Sequence, residues 1–289
     1  MAHADRLPVA RFLGGIPPTA LVLLGIVSVQ VGAAVAKQLF ATAGAVGTVT
    51  LRLVVAAVVL VAIWRPSLRM DRRTLTVVLT YGVVLAGMNL CFYSAIERIP
   101  LGAAVTIEFL GPLAVAVAGS RRWLDGLWVL LAGAGVVLLT RVQGGLLWTG
   151  VLFALAAGAL WAAYILVTAK LGSTTSDGKG LALAMVVGAA VALPFGVTSA
   201  GTALLDPVVL AAAVAVALMS SVIPYSLELE ALRRMPPRVF GILMSLEPAV
   251  AAVAGLLLLG EHLAPAQWVA VCCVVIASVG ATRSARPEV

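Results

Sequence analysis

Gly111-Pro-Leu-Ala-Val-Ala-Val-Ala-Gly119 and Glu247-Pro-Ala-Val-Ala-Ala-Val-Ala-Gly255 align without a gap, 136 residues apart. The same offset carries Arg98-Ile-Pro100 onto Arg234-Met-Pro236. Helices rich in Ala, Val and Gly align by chance often enough. Two proline positions and a small-residue run at one offset make an internal repeat the better account.

Each copy sits in an apolar run of bilayer-spanning length, about 20 residues. Such runs fall near 18–39, 44–64, 74–96, 101–119, 124–140, 147–169, 181–198, 207–232, 238–259 and 265–282. The expectation is an all-α integral membrane protein with ten transmembrane helices, divided into repeats 1–144 and 145–289. Five is odd, so the second half enters the membrane from the opposite face. That makes an inverted repeat, an arrangement that secondary transporters use with the binding site between the halves.

Composition agrees. Of 289 residues, 62% are hydrophobic and 11% charged, with a mean hydropathy of +1.13. A soluble domain carries about 25% charged residues, and a chain this long could not cover a water-facing surface with so few. The excess of 19 basic over 12 acidic residues would suggest nucleic acid in a soluble chain. Here it reads as topology instead. With the N-terminus cytoplasmic, 15 basic residues fall in inside segments: Arg6, Arg11, Arg65, Arg69, Arg72, Arg73, Arg121, Arg122, Lys170, Lys179, Arg233, Arg234, Arg238, Arg283 and Arg286. Only Arg98 and Arg141 fall outside, and Lys37 and Arg52 lie within spans. This asymmetry places both termini in the cytoplasm and favours an even number of spans.

The first run resembles a signal peptide, but it is longer than the usual 7–15 apolar residues and holds Gln30 and Lys37. It reads as a retained helix. The loops are short, about ten residues at most (171–180), so function must sit within the membrane. Cys91, Cys272 and Cys273 lie in apolar runs, and His3 and His262 in a tail and a loop. No metal or other cofactor is implied, and no hydrolase, diphosphate or phosphate-loop signature marks an enzyme.

Charged residues inside spans cost about 2.5–3.5 kcal/mol each on insertion scales, so they are candidates for function. Arg52 lies roughly 12 Å into its span at 1.5 Å per residue, as a structural ion pair or a ligand group. Lys37, near the outer end of the first span, can snorkel. It shares a helical face with Gln30, Ala33 and Ala34. Glu108 and Glu247 are the sharpest candidates, near mid-span and just before Pro112 and Pro248. Proline frees the carbonyl four residues back, that of Glu108 in the first case and of Met244 in the second. A carboxylate beside a free carbonyl can hold an ammonium or a proton; the alternative is a kinked packing helix with the Glu paired to Arg52 or Lys37. Polar and aromatic stripes accompany them: Tyr81, Leu85, Asn89 and Tyr93; Trp161, Tyr164 and Thr168; Ser221, Pro224, Tyr225 and Glu228. Glu228 and Glu230 lie beside Arg233 and Arg234, where a solvated charge cluster is the expectation.

These residues carry a resemblance. Ser28-Val-Gln30-Val-Gly-Ala-Ala-Val-Ala-Lys37, Gly87-Met-Asn89-Leu-Cys-Phe-Tyr93, Glu108-Phe-Leu-Gly-Pro-Leu-Ala-Val-Ala116 and Trp161-Ala-Ala-Tyr164 are four of the stretches. Ile223-Pro-Tyr-Ser-Leu-Glu228 and Phe240-Gly-Ile-Leu-Met-Ser-Leu-Glu247-Pro-Ala are two more. The chain resembles, over nearly its whole length, the threonine/homoserine exporter branch of the EamA-type transporters, within the drug/metabolite transporter superfamily. The resemblance implies two inverted five-helix halves in the bacterial inner membrane. It also implies export of small amino acids in exchange for protons.

A zwitterion needs a cation for its carboxylate and an acid or aromatic face for its ammonium. Arg52 or Lys37 suits the first; Glu108, Glu247, Tyr93 and Trp161 suit the second. Gln30, Asn89, Tyr164 and Tyr225 complete the candidate set. The expected partners are a small amino acid, protons and the lipid bilayer, with no nucleic acid. The rival readings are an exporter of drugs or other metabolites on the same fold, and a passive channel.

Overall fold

The computed structural model describes residues 15–66, 70–118, 123–141, 147–172, 179–232 and 234–284. Arg6, Arg11, Arg69, Arg121, Arg122, Arg233, Arg286 and His3, all read above for topology or metal binding, lie outside the described residues. Among the described residues every regular element is helical.

In chain order these are α1 (Pro18–Gln38), α2 (Phe40–Trp64), α3 (Arg72–Ile96), α4 (Leu101–Glu108), α5 (Leu110–Ala118), α6 (Trp123–Arg141) and α7 (Trp148–Gly172). They continue with α8 (Lys179–Ala200), α9 (Pro207–Ala217), α10 (Ile223–Leu232), α11 (Pro237–Met244), α12 (Glu247–Leu259) and α13 (Pro265–Ser284). Local chemistry sets the ends. Asp71 accepts the Arg73 and Thr74 amides at 3.1 and 3.2 Å, and Asp206 accepts those of Val208 and Val209 at 2.7 and 3.3 Å. Each side chain caps amides that an α-helix leaves unpaired. Gly260, at φ 65°, stops α12 in the left-handed region, a conformation open to glycine without steric cost.

Eight helical stretches are long and apolar enough to cross a membrane. Two of the ten expected spans are shorter as apolar helices, Gly126–Leu139 and Pro207–Val222. In the second, the run 207–232 is interrupted. A π-helical turn, Leu218–Val222, separates α9 from α10, and the polar residues that follow end the apolar stretch. Two other expected spans are also broken, at Phe109 between α4 and α5, and at Ser245–Leu246 between α11 and α12. These breaks lie beside Pro112 and Pro248, where the missing amides interrupt the helical ladder.

The bundle has small residues inside and large ones outside. Ala34, Ala36, Ala56, Ala104 and Ala154 are fully buried, whereas Leu130, Leu152, Leu166 and Leu257 are 62–75% exposed. This suits a lipid environment, in which close packing of small side chains, not exclusion of water, brings helices together. α1 is an integral part of the bundle: Leu21 and Val22 are fully buried in a cluster with Leu227 and Ala231 of α10.

Helices that pack together include α2 with α8, α3 with α7 and α8, α1 with α10, α4 with α12, and α6 with α13; five of these pairs, all but α3–α8, form a pattern. Exchanging the expected spans one to five for six to ten maps this pattern onto itself. The α1–α10 pair becomes α7–α3, and the other three map onto themselves.

Candidate substrate cavity

The two broken spans place their acids at helix ends. Glu108 is the last residue of α4 and Glu247 the first of α12. Pro112 frees the Glu108 carbonyl, and Gly158 of α7 lies against it. A Cβ built on Gly158 would come within 2.6 Å of the Glu108 oxygen, and one on Gly111 would overlap the Gly158 carbonyl. Only glycine allows this backbone-to-backbone approach.

Pro224 acts similarly. It leaves the Ser220 carbonyl without its helical amide, and that carbonyl accepts from Arg52 Nη2 at 3.2 Å. Arg52 also donates through Nη1 to Tyr93 Oη at 3.2 Å, has a long 3.4 Å contact from Nε to Ser221 Oγ, and lies 5.5 Å from the Tyr93 ring centre. The neighbouring Met219 carbonyl accepts from Ser28 Oγ at 2.7 Å. Side chains from α1 and α2 thus satisfy the carbonyls of the π turn, an element often found at functional sites.

Between these features lies a cavity of about 140 Å³. Gln30, Arg52, Asn89, Glu108, Trp161, Tyr164 and Glu247, all candidates from the sequence, line it. Gln30 Nε2 donates to Glu247 Oε1 at 3.0 Å, and Asn89 Nδ2 to the Leu85 carbonyl at 2.8 Å. Aromatic side chains flank it: Trp161, which meets Phe109 edge-on at 5.4 Å, and Tyr164, which stacks on Tyr81 at 5.1 Å. Tyr93 is fully buried behind Arg52. Tyr225 belongs to α10, but its side chain lies outside the described residues.

Two placements differ from expectation. Glu228 lines the cavity and is not part of a solvated cluster. It lies four residues beyond Pro224 and eight beyond Ser220, on the α10 face turned to α1, with its Oε1 3.8 Å from the position of a Gly25 Cβ. Glu230, two residues on and around the helix, fits the cluster better: Arg234 lies 3.9 Å from it. Lys37 stands apart from the cavity. It donates to Glu261 Oε1 at 2.6 Å and to the Ile99 carbonyl at 3.1 Å, while Glu261 Oε2 accepts the Leu101 amide at 2.7 Å. Glu261 thereby caps α4 and ties the loop after α12 to α1.

Ser220 is not among the candidates from the sequence. Its signal is the spacing to Pro224, which exposes the Ser220 carbonyl. Among the described residues, no group of three or more His, Cys, Asp or Glu side chains could hold a metal ion.

The sequence profile of the EamA-like transporter family matches residues 148–283. Threonine/homoserine exporter RhtA of Escherichia coli K12 is 42% identical over 275 residues, covering 94% of this chain and 93% of the relative. The chain belongs to the EamA-like transporter family. The same exporter from Salmonella typhimurium LT2 is equally similar, 42% identical over the same shares. A solved crystal structure, 18% identical, matches with a TM-score of 0.62 over 92% of this chain and 98% of that one. It shares the fold. The EamA-like chain is therefore a multi-pass protein of the bacterial inner membrane and a transporter, not an enzyme.

Proposed function

We propose that the protein exports small amino acids of the threonine/homoserine kind in exchange for protons, by alternating access of two inverted five-helix halves. The halves are 1–144 and 145–289, with ten spans and both termini cytoplasmic. The observation that carries this reading is the cavity, where three carboxylates (Glu108, Glu228, Glu247) and one guanidinium (Arg52) from both halves line a space of about 140 Å³. The self-mapping pattern of helix pairs supports the division into halves, and the names of the relatives support the substrate class.

The chemistry follows from the groups present. The substrate carboxylate goes to Arg52, whose planar fork favours carboxylates and whose 3.4 Å contact to Ser221 is a weak one to displace. The ammonium goes to the carboxylates and the Trp161 face. A carboxylate in this space holds either a proton or an ammonium, so the two compete, and rocking of the halves turns competition into exchange. Pockets for drug-sized ligands are roughly 300–1,000 Å³, so the size of this cavity favours small metabolites over drugs.

The test is release of labelled threonine and homoserine from proteoliposomes, for the wild type and for Glu108→Gln and Glu247→Gln. Saturable release, with a pH dependence altered in at least one variant, is expected. If the protein moves neither amino acid but moves other metabolites, the substrate assignment falls. Normal flux with unchanged proton dependence in Glu108→Gln removes that residue from coupling.

A further inference from the structure

Three buried oxygens have no hydrogen-bond partner among the described residues: Gln30 Oε1, Ser220 Oγ and Glu247 Oε2. Their side chains all line the cavity, with 1%, 4% and 8% of each residue exposed. Elsewhere in the core such groups are satisfied; Thr106 donates to the Gly102 carbonyl and Ser245 to that of Gly241. Buried polar atoms are nearly always paired, so three open ones on residues that line one cavity point to something that pairs them. The Gln30–Glu247 bond orients the set. The Gln30 amide turns its donor onto Glu247 Oε1, because a carboxylate only accepts, and this leaves the amide oxygen and Glu247 Oε2 open.

We infer that these three oxygens form the seat of the substrate's primary ammonium group, an inference that rests on the amino-acid export reading above. An –NH3+ group has three donors and no acceptor, and the seat offers three oxygens, one of them anionic. Gln30 comes from α1, Ser220 from the π turn and Glu247 from α12, so the seat spans both halves and is complete only while they meet. A proton on Glu247 Oε2 supplies a donor to the same set, so proton and ammonium compete for the same atoms. Glu108, Glu228 and Arg52 face the same cavity and set the field in which that competition occurs.

The experiment is competition against labelled threonine on the purified protein in lipid nanodiscs, using unlabelled threonine and its N-methyl, N,N-dimethyl and N,N,N-trimethyl derivatives. In the wild type each added methyl weakens competition, and the trimethyl compound, with no N–H, does not compete. Ser220→Ala and Gln30→Met each weaken threonine roughly tenfold or more, the scale of one hydrogen bond to a charged group, and flatten the ranking. If the trimethyl compound competes as well as threonine, the seat is overturned; the wild-type ranking decides this even where a variant fails to fold. Folded variants with wild-type affinity and ranking also overturn it. If the wild type binds and transports no amino acid, the export reading falls and the seat falls with it. Amino-acid transport without the ranking removes the seat alone.

Discussion

Gly158→Ala tests how the broken α4–α5 segment is held. Its Cβ would stand 2.6 Å from the Glu108 carbonyl oxygen and 3.3 Å from the Glu108 carbonyl carbon and Cα. Ordinary contact begins near 3.4 Å, so the two backbones must part by about 0.8 Å. Neither neighbour is a flexible side-chain tip. Overpacking of this kind costs about 1–3 kcal/mol, which corresponds to a melting point lower by on the order of 5 °C. The displacement carries Glu108 with it, so threonine flux falls too. The assay is thermal unfolding in detergent together with efflux from proteoliposomes. Gly133→Ala, where a Cβ meets nothing within 4 Å, serves as the control and should match or exceed wild-type stability. If Gly158→Ala melts and transports like the control, the close approach of α4 and α7 is refuted.

Three further outcomes follow. Glu261→Ala removes the only described acceptor of the Leu101 amide and the charged partner of Lys37, which keeps the Ile99 carbonyl, and should lower stability by about 1–3 kcal/mol in the same unfolding assay; wild-type stability would contradict the capping role. Tyr93→Phe removes one acceptor of Arg52 but keeps the ring beneath the guanidinium. It should cost about 1–2 kcal/mol and weaken threonine binding, measured by equilibrium binding to nanodiscs. The Asp71 carboxyl is held below the usual carboxylate value, first by the Thr74 hydroxyl and then by the Thr74 amide. Its folded value is depressed, so its contribution is present above about pH 4, and is lost as pH falls through the folded value. Protection of the amides at the start of α3, measured against their intrinsic exchange rate at each pH, should therefore fall on acidification, and Asp71→Asn should blunt that response.

Much of the site was legible because burial of charge is costly in lipid. The cost of burying charge marks Arg52, Glu108 and Glu247, and helical spacing adds Gln30, Asn89, Trp161 and Tyr164, all of which line the cavity. It misled where partners are distant or neighbours distract. Lys37 finds Glu261, 224 residues away, and no local pattern announces such a pair. Glu228 sits in sequence beside arginines, yet its helix turns it toward α1, while Glu230 takes the basic partner. The prolines announced the breaks. Whether a missing amide produces a kink, a break or a π turn depends on which side chains reach the freed carbonyl, as Arg52 does at Ser220.

The most direct measurement of the central claim is threonine accumulation in proteoliposomes whose interior is more acidic than the bath. Proton-coupled exchange predicts that labelled threonine rises inside above its external concentration and that the excess collapses when a protonophore is added. Threonine that only equilibrates, at a rate indifferent to the pH gradient, would contradict it.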